Sequence, residues 1–365
     1  MGGTLQILQI GDGQLDQPVH SGCSLPDDLH AITLNAQYDA FQKAVDAAIR
    51  DQVDLFLITG SLFKDLQDRR PAWFALQKFQ QLRQAGIQIV WMVPTALGVD
   101  AKIDLMGPVH LVAPTESLQL QLAGRSVMFH NGEFDTRELH TAHHNTLVQF
   151  DGRDIRIAAH GHQQTAPRMS LQATSASDQN SGAAHLWEIT DKVRLTSMPT
   201  EVVAWKSETV RLNSQVNSSG LSWNEVLKEV HQRWDRLCSR PDRKLTLCDW
   251  TFEGTGPAWD SLLNISRSEL RRHLAYGSHQ HRIWPRMVQL IPSDQQEVAW
   301  SHSAPVQIAF HELNQFRSTP APSLDFATPS WASALQSERV SRQVIPMMAS
   351  RLESEWVHHP LQAAG

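Results

Sequence analysis

Asp12, Ser61, Thr95, His130 and the run His160-Gly161-His162 each stand where an apolar stretch gives way to a turn. Carboxylates and imidazoles gathered at strand ends are the side chains that hold divalent cations or move protons. In an open α/β sheet, such chemistry sits at the carboxyl ends of the strands.

The elements that must position these residues are legible from their patterns. Val53 to Phe63, VDLFLITGSLF, is apolar and β-branched up to Gly60 and fits a strand buried on both faces, with Ser61 at its end. Leu5 to Ile10 is a second apolar strand and ends in Gly11-Asp12-Gly13-Gln14. Between them, Phe41, Val45, Ala48 and Ile49 recur at helical spacing within Asn35 to Gln52, which predicts a strand-helix-strand unit with parallel strands. Pro71 opens a further helix that Gly86 stops, and Ile87 to Val93 is the third buried strand, running into Pro94-Thr95-Ala96-Leu97-Gly98.

From Pro108 the pattern predicts antiparallel β structure. Leu118 to Leu122 and Ser126 to His130 flank a turn at Ala123-Gly124-Arg125, and Ala184 to Ile189 with Val193 to Met198 forms another hairpin. Ile155 to Ala159 is a strand running into the His160 turn, and the polar run Ser170 to Gly182 reads as a loop. Beyond Val203 a smaller α+β module is expected. Ser222 and Glu225 suit a capping box for a helix whose Trp223, Leu227, Val230, Trp234 and Leu237 form one apolar stripe. Strands at Leu245 to Phe252 and Arg282 to Leu290, with a helix near Trp259 to Leu274, complete it. Ser318 to Pro329 has linker composition, and Trp331 to Trp356 suits one last helix or two.

Composition narrows the classes. A net charge of −6 opposes a strongly basic nucleic-acid binder, although a local basic face remains compatible with it. Cys23, Cys238 and Cys248 lie at no metal-ligand spacing and suit reduced thiols, so neither disulfide nor zinc finger is expected. The start MGGTLQILQIGDG has neither a charged leader nor a long apolar run, and no later window is apolar for long enough to span a bilayer. A cytoplasmic protein with no membrane partner is the expectation.

The order and spacing of these strand-end motifs resemble the calcineurin-like metallophosphoesterase superfamily, and within it the SbcD-type DNA-repair exonuclease subunit, over most of residues 4 to 290. The resemblance implies an α/β fold: a calcineurin-like β-sandwich flanked by helices over residues 1–203 and a capping domain over 204–316, after which composition alone gives a linker and C-terminal helical tail over 317–365. It also implies a pair of divalent metals, usually manganese, an SbcC-type coiled-coil ATPase partner, DNA contact, and a homodimer.

Carried over residue by residue, the resemblance leaves Asp12, His130 and His162 on metal-ligand positions. The family's other chemical positions fall on Gln14, Ser61, Ala96, Leu97 and Gln164. Two divalent cations roughly 3.5–4 Å apart need a bridging carboxylate, which a neutral hydroxyl at Ser61 does not replace. An alkyl side chain at Leu97 neither donates a proton nor stabilises charge. The expectation is a degenerate phosphoesterase without a catalytic set and without a bound cofactor, its remaining ligands vestigial.

Two rival readings keep metal. In one, Asp12, His130 and His162 hold a single manganese or other divalent ion, or a relocated site recruits Asp16, Asp65 or His160, giving a working phosphodiesterase or exonuclease. In the other, His140, His143 and His144 form a metal clip on a helix. Separately, Arg267, Arg271, Arg272 and Arg282 make a candidate face for a phosphate backbone.

Overall fold

Six strands assemble into one mixed sheet, whose central members Leu5–Ile10 and Leu55–Thr59 are buried at nearly every residue. The computed structural model describes residues 3–64, 69–93, 109–132, 146–151, 154–159, 162–178, 182–212, 223–238, 243–254, 257–278 and 281–292. Two compact units are formed, Met1–Trp205 with Arg240–Thr246, and Lys206–Ser239 with the described part of Leu247–Gly365.

In the first unit, β1 (Leu5–Ile10), β2 (Leu55–Thr59), β3 (Gln88–Met92) and β4 (His110–Val112) pair in parallel in that order. The sheet is extended on the β1 side by the antiparallel hairpin of β10 (Ala183–Ile189) and β11 (Val193–Pro199). Crossovers are supplied by α1 (Asp27–Arg50) and α2 (Arg70–Gln84), whose aromatic side chains pack on the sheet's helical face, with Phe41 in edge contact with Phe56 and Phe79. The helix α1 begins eight residues before the apolar periodicity at Asn35, its first turn carrying Asp27 and Asp28, which suit a helix amino terminus.

The opposite face of that sheet meets a five-stranded sheet in the order β5 (Ser117–Leu122), β6 (Arg125–Asn131), β7 (Thr146–Phe150), β8 (Asp154–Ala159), β9 (His162–Pro167). Alternate residues from both sheets, among them Leu5, Ile7, Leu57, Val90, Phe129, Val148, Ile157 and Trp187, make a single buried core. The β5–β6 connection is a two-residue turn with Ala123 and Gly124 both at positive φ, the geometry whose twist matches a hairpin. The expectation of antiparallel structure beyond Pro108 is corrected at two places: β4 adds in parallel to β3, and β6 pairs in parallel with β7. A parallel pair cannot be joined by a tight turn, and residues 133–145, which connect β6 to β7, lie outside the described residues.

The stretch beginning at Ser170 is not a surface loop throughout. Leu171, Gln172 and Ala173 are buried, and Gln172 Oε1 accepts from the Val202 and Val203 N–H groups while its Nε2 donates to the Val203 carbonyl. One amide side chain thus satisfies backbone that forms no ladder there, the requirement for burying irregular chain.

The second unit contains the sheet β12 (Val203–Leu212), β13 (Leu245–Gly254), β15 (Arg282–Pro292), β14 (Tyr276–Gly277), in that order, together with α3 (Trp223–Leu237), α4 (Pro257–Leu263) and α5 (Arg267–Leu274). Val226, Val230, Trp250, Phe252, Trp259 and Leu270 lie in its core. The single helix expected near Trp259 to Leu274 is two helices, because Ser266 caps α5 by accepting from the Glu269 N–H. Ser222, the Glu225 side chain and the tail from residue 317 lie outside the described residues.

The two sheets of the first unit are also joined by one buried amide. Asn131 Nδ2, at the end of β6, donates to the carbonyls of Val93 (2.7 Å) and Val112 (2.8 Å). Asn131→Ala leaves both acceptors unpaired and is expected to lower stability by about 2–4 kcal/mol, read as a shift in the urea midpoint at unchanged slope.

Candidate functional site

Asp12 is where the strand ends meet. Its Oδ1 accepts the Ser61 N–H at 2.8 Å, and its Oδ2 pairs with the Arg168 guanidinium at 3.1 Å. The Gly13 and Gln14 N–H groups donate to the Ser61 carbonyl, and Leu15 N–H to that of Leu62, so the two post-strand turns are laced together. Three of the family positions read from sequence, Asp12, Gln14 and Ser61, are therefore brought into contact.

Gly60 permits this. It has φ +140°, and a Cβ placed on it would lie 2.6 Å from Asp12 Oδ1. Any larger residue would push the carboxylate away from the Ser61 N–H. Below the turn, Trp91 Nε1 donates to the Gly60 carbonyl, and Phe63 packs edge-on to Trp91, fixing the end of β2 over β3. Gln14 holds φ +41°, a region costly for a long unbranched side chain, and its backbone bonds keep it there.

Arg168 was not singled out by the sequence, and no local signal marks it. It follows β9 directly, and its neighbour Met169 passes so close to Gly11 that a Cβ there would fall 1.9 Å from the Met169 carbonyl oxygen. The Leu171 N–H then donates to the Asp12 carbonyl. Chain geometry delivers the guanidinium to the carboxylate.

The two histidines go elsewhere. His130 lies on the half-exposed face of β6, alternating with buried Phe129 and Asn131, and its Nδ1 is 2.8 Å from the Ser117 hydroxyl on β5. His162 is exposed at the first residue of β9, opposite Ala159, in the row that runs through Thr146 and Val127. His130 instead lies in the row of Gln149, Arg156 and Thr165, three residues along and three strands across. At ~3.4 Å per residue and ~4.8 Å per strand, the backbone positions of the two histidines stand roughly 17 Å apart. His162 also stands six residue steps from Arg168, at the other end of β9, a backbone span of about 20 Å.

The register thus sets His130 and His162 on different rows of the second sheet. Among the described residues no three His, Cys, Asp or Glu side chains are grouped so as to hold a metal ion. The donor set around Asp12 does not fit a two-ion centre either, since it offers a serine, a glutamine and a guanidinium. Of the relocated candidates, Asp16 accepts the Lys64 N–H with both oxygens (2.9 and 3.0 Å), whereas Asp65 and His160 lie outside the described residues. So do Ala96, Leu97 and the trio His140, His143 and His144. Gln164, opposite Ile157, sits two residues along β9 from His162.

One titratable group is buried nearby in the sheet. His185 on β10 pairs in register with Gln9, beside a chain in which Trp187 Nε1 donates to Gln9 Oε1, Gln9 Nε2 to the Thr59 hydroxyl, and that hydroxyl to the Ile10 carbonyl. Burial pushes the His185 pKa below its ordinary value, because desolvation penalises the imidazolium.

The fold and the strand-end site together define a mixed α/β protein with several sheets, few helices and its polar cluster at the carboxyl ends of parallel strands, an architecture compatible with a phosphoesterase. No family model matches the chain. Over 86 residues it is 30% identical to the uncharacterized metallophosphoesterase YhaO of Bacillus subtilis (strain 168), a match covering 23% of this chain and 21% of that protein. The likeness supports the metallophosphoesterase superfamily, and it spans about a fifth of the relative's length. No helix among the described residues is long and apolar enough to cross a membrane.

This geometry has three measurable consequences. Gly60→Ala is expected to cost about 1–3 kcal/mol by combining a strained φ with a clash on Asp12, measured by chemical denaturation. A double-mutant cycle of Asp12→Asn and Arg168→Met should give a coupling on the order of 1 kcal/mol that shrinks with added salt. For His185, the unfolded chain binds a proton near pH 6.5 while the folded state resists it, so stability present above that pH is lost as the pH falls below it. His185→Gln should flatten the fall in thermal midpoint between about pH 6.5 and 5.

Proposed function

We propose that this chain is a metallophosphoesterase-fold protein that has given up metal-dependent hydrolysis and acts as a structural, DNA-binding or ATPase-binding subunit, in the manner of a degenerate relative of the DNA-repair exonuclease subunits. The observation that carries the reading is the Asp12–Arg168 ion pair. A carboxylate in the position that the family resemblance gives to a metal ligand is paired with a guanidinium, which offers no coordination position on which a water could be ionised as on a divalent cation.

Ser61 supports the same conclusion. The residue at the place of the bridging carboxylate offers its backbone N–H to Asp12, and its hydroxyl carries no charge to hold two cations together. The capping domain, the SbcC-type coiled-coil partner and a homodimer belong to this proposal through the resemblance alone.

The test is manganese-dependent cleavage of bis(p-nitrophenyl) phosphate and of linear duplex DNA by the purified full chain, with elemental analysis for manganese on the same sample. No hydrolysis above the protein-free control, and less than one manganese per ten chains, is the expected outcome. Hydrolysis that depends on manganese and disappears in Asp12→Asn would overturn the proposal and restore an active phosphodiesterase. For the partner, deletion of 331–365 is expected to abolish co-purification with a coiled-coil ATPase from the native host, and retention of that partner would remove the tail from the docking role.

A further inference from the structure

The second unit carries a row of aromatic rings that its core does not fully cover. On α3, His231 and Trp234 lie face to face, with ring centroids 4.4 Å apart and 33° between planes. Trp234 in turn lies against Tyr276 of β14 at 5.0 Å and 37°. Trp234 is half-buried and packs against the core at one edge, whereas His231 is exposed and Tyr276 is 37% exposed. A three-ring stack with accessible outer members is not explained by packing, which would bury its ends.

Basic residues are concentrated in the chain on either side of Tyr276. Residues 267 to 286 contain five arginines and a single acidic residue, Glu269. One of the five, Arg286, is tied to Asp249. Arg271 and Arg272 are exposed in the last turn of α5, shortly before the chain enters β14. Arg282 is exposed across the β14–β15 ladder, paired with Gly277, and its Nη1 lies 2.9 Å from where a Cβ on Gly277 would stand. The absence of a side chain at Gly277 lets that guanidinium lie against the strand next to Tyr276. A contact between Trp223 and His273 at 5.6 Å anchors the end of α5 to the start of α3, the helix that carries His231 and Trp234.

An exposed aromatic face offers a stacking partner to any unpaired base, and flanking arginines neutralise the phosphates on either side of it. A duplex presents no base faces and would use only the charge. We propose that His231, Trp234 and Tyr276, with Arg271, Arg272 and Arg282, form a stacking platform for single-stranded nucleic acid. The platform depends on the non-catalytic function only in the choice of ligand, and the two fail separately, because one is read as hydrolysis and metal content and the other as binding.

The experiment is fluorescence anisotropy of labelled oligothymidylate with the full-length protein in metal-free buffer. A duplex of the same length and inorganic polyphosphate serve as competitors. Binding of the single strand in preference to the duplex is expected. Tyr276→Ala should weaken it by roughly ten- to a hundredfold at fixed salt, while Tyr276→Phe stays within about threefold of the parent. Arg271→Ala with Arg272→Ala should lower the slope of log affinity against log salt by about 1.4, at roughly 0.7 per lost phosphate contact. Circular dichroism and the thermal midpoint serve as fold controls for each variant. Failure to bind oligothymidylate at low salt, equal binding by a folded Tyr276→Ala, or polyphosphate competing phosphate for phosphate would each overturn the platform.

Discussion

The bond from the Ser61 N–H to the Asp12 carboxylate sets the geometry at the ends of β1 and β2, and it exists only because Gly60 has no side chain. Parallel pairing brings the two strands into register, but it does not decide how their turns meet. The missing Cβ lets the carboxylate enter the β2 turn, after which four backbone bonds between residues 13–15, 61–62 and 60–92 close around it. Later segments of the chain are arranged on that fixed point, including the return of residues 168–171 past Gly11.

An acid drawn largely out of water needs compensation, and the kind of compensation decides what the site can do. A divalent ion would leave open coordination positions for water or phosphate. A guanidinium brings hydrogen-bond donors and a permanent charge but no coordination position on which a water could be ionised. Asp12 here is satisfied by one backbone N–H and one arginine, which makes the strand-end cluster an internal tie between β1, β2 and the segment after β9. The same economy is visible in Gln9, Thr59 and Trp187, whose hydrogen bonds close within the core. Polar groups in this unit are spent on holding elements together.

The second unit distributes its polar and aromatic groups differently. Arg233 is half-buried against Glu208 and Glu229, and although burial disfavours its charge, the hydrogen bonds to both carboxylates outweigh that and raise its pKa. Its exposed arginines include Arg211 and Arg236, which pair with Glu253 and Glu208, as well as Arg271, Arg272 and Arg282 around β14 and the end of α5.

Much of the architecture could be read from the chain itself. Apolar runs bounded by Gly60 and Gly86 gave the parallel strands, the Ala123-Gly124 pair gave its hairpin, and the α3 stripe gave the second core, because periodicity and turn chemistry are local. The meeting of Asp12, Gln14 and Ser61 was equally legible, since consecutive parallel strands place their ends side by side. What the sequence did not contain was register and partner. Only the ladder showed that His130 and His162 lie three strands and three residues apart, and a one-residue difference in pairing would have turned either to the other face. Only the folded chain brought Arg168 to Asp12, buried Gln172 beneath the Val202 backbone and stacked Tyr276 on Trp234, contacts between residues 156, 30 and 42 positions apart. Composition and periodicity fix which face of an element is buried; the tertiary structure alone decides what a polar side chain meets when it gets there.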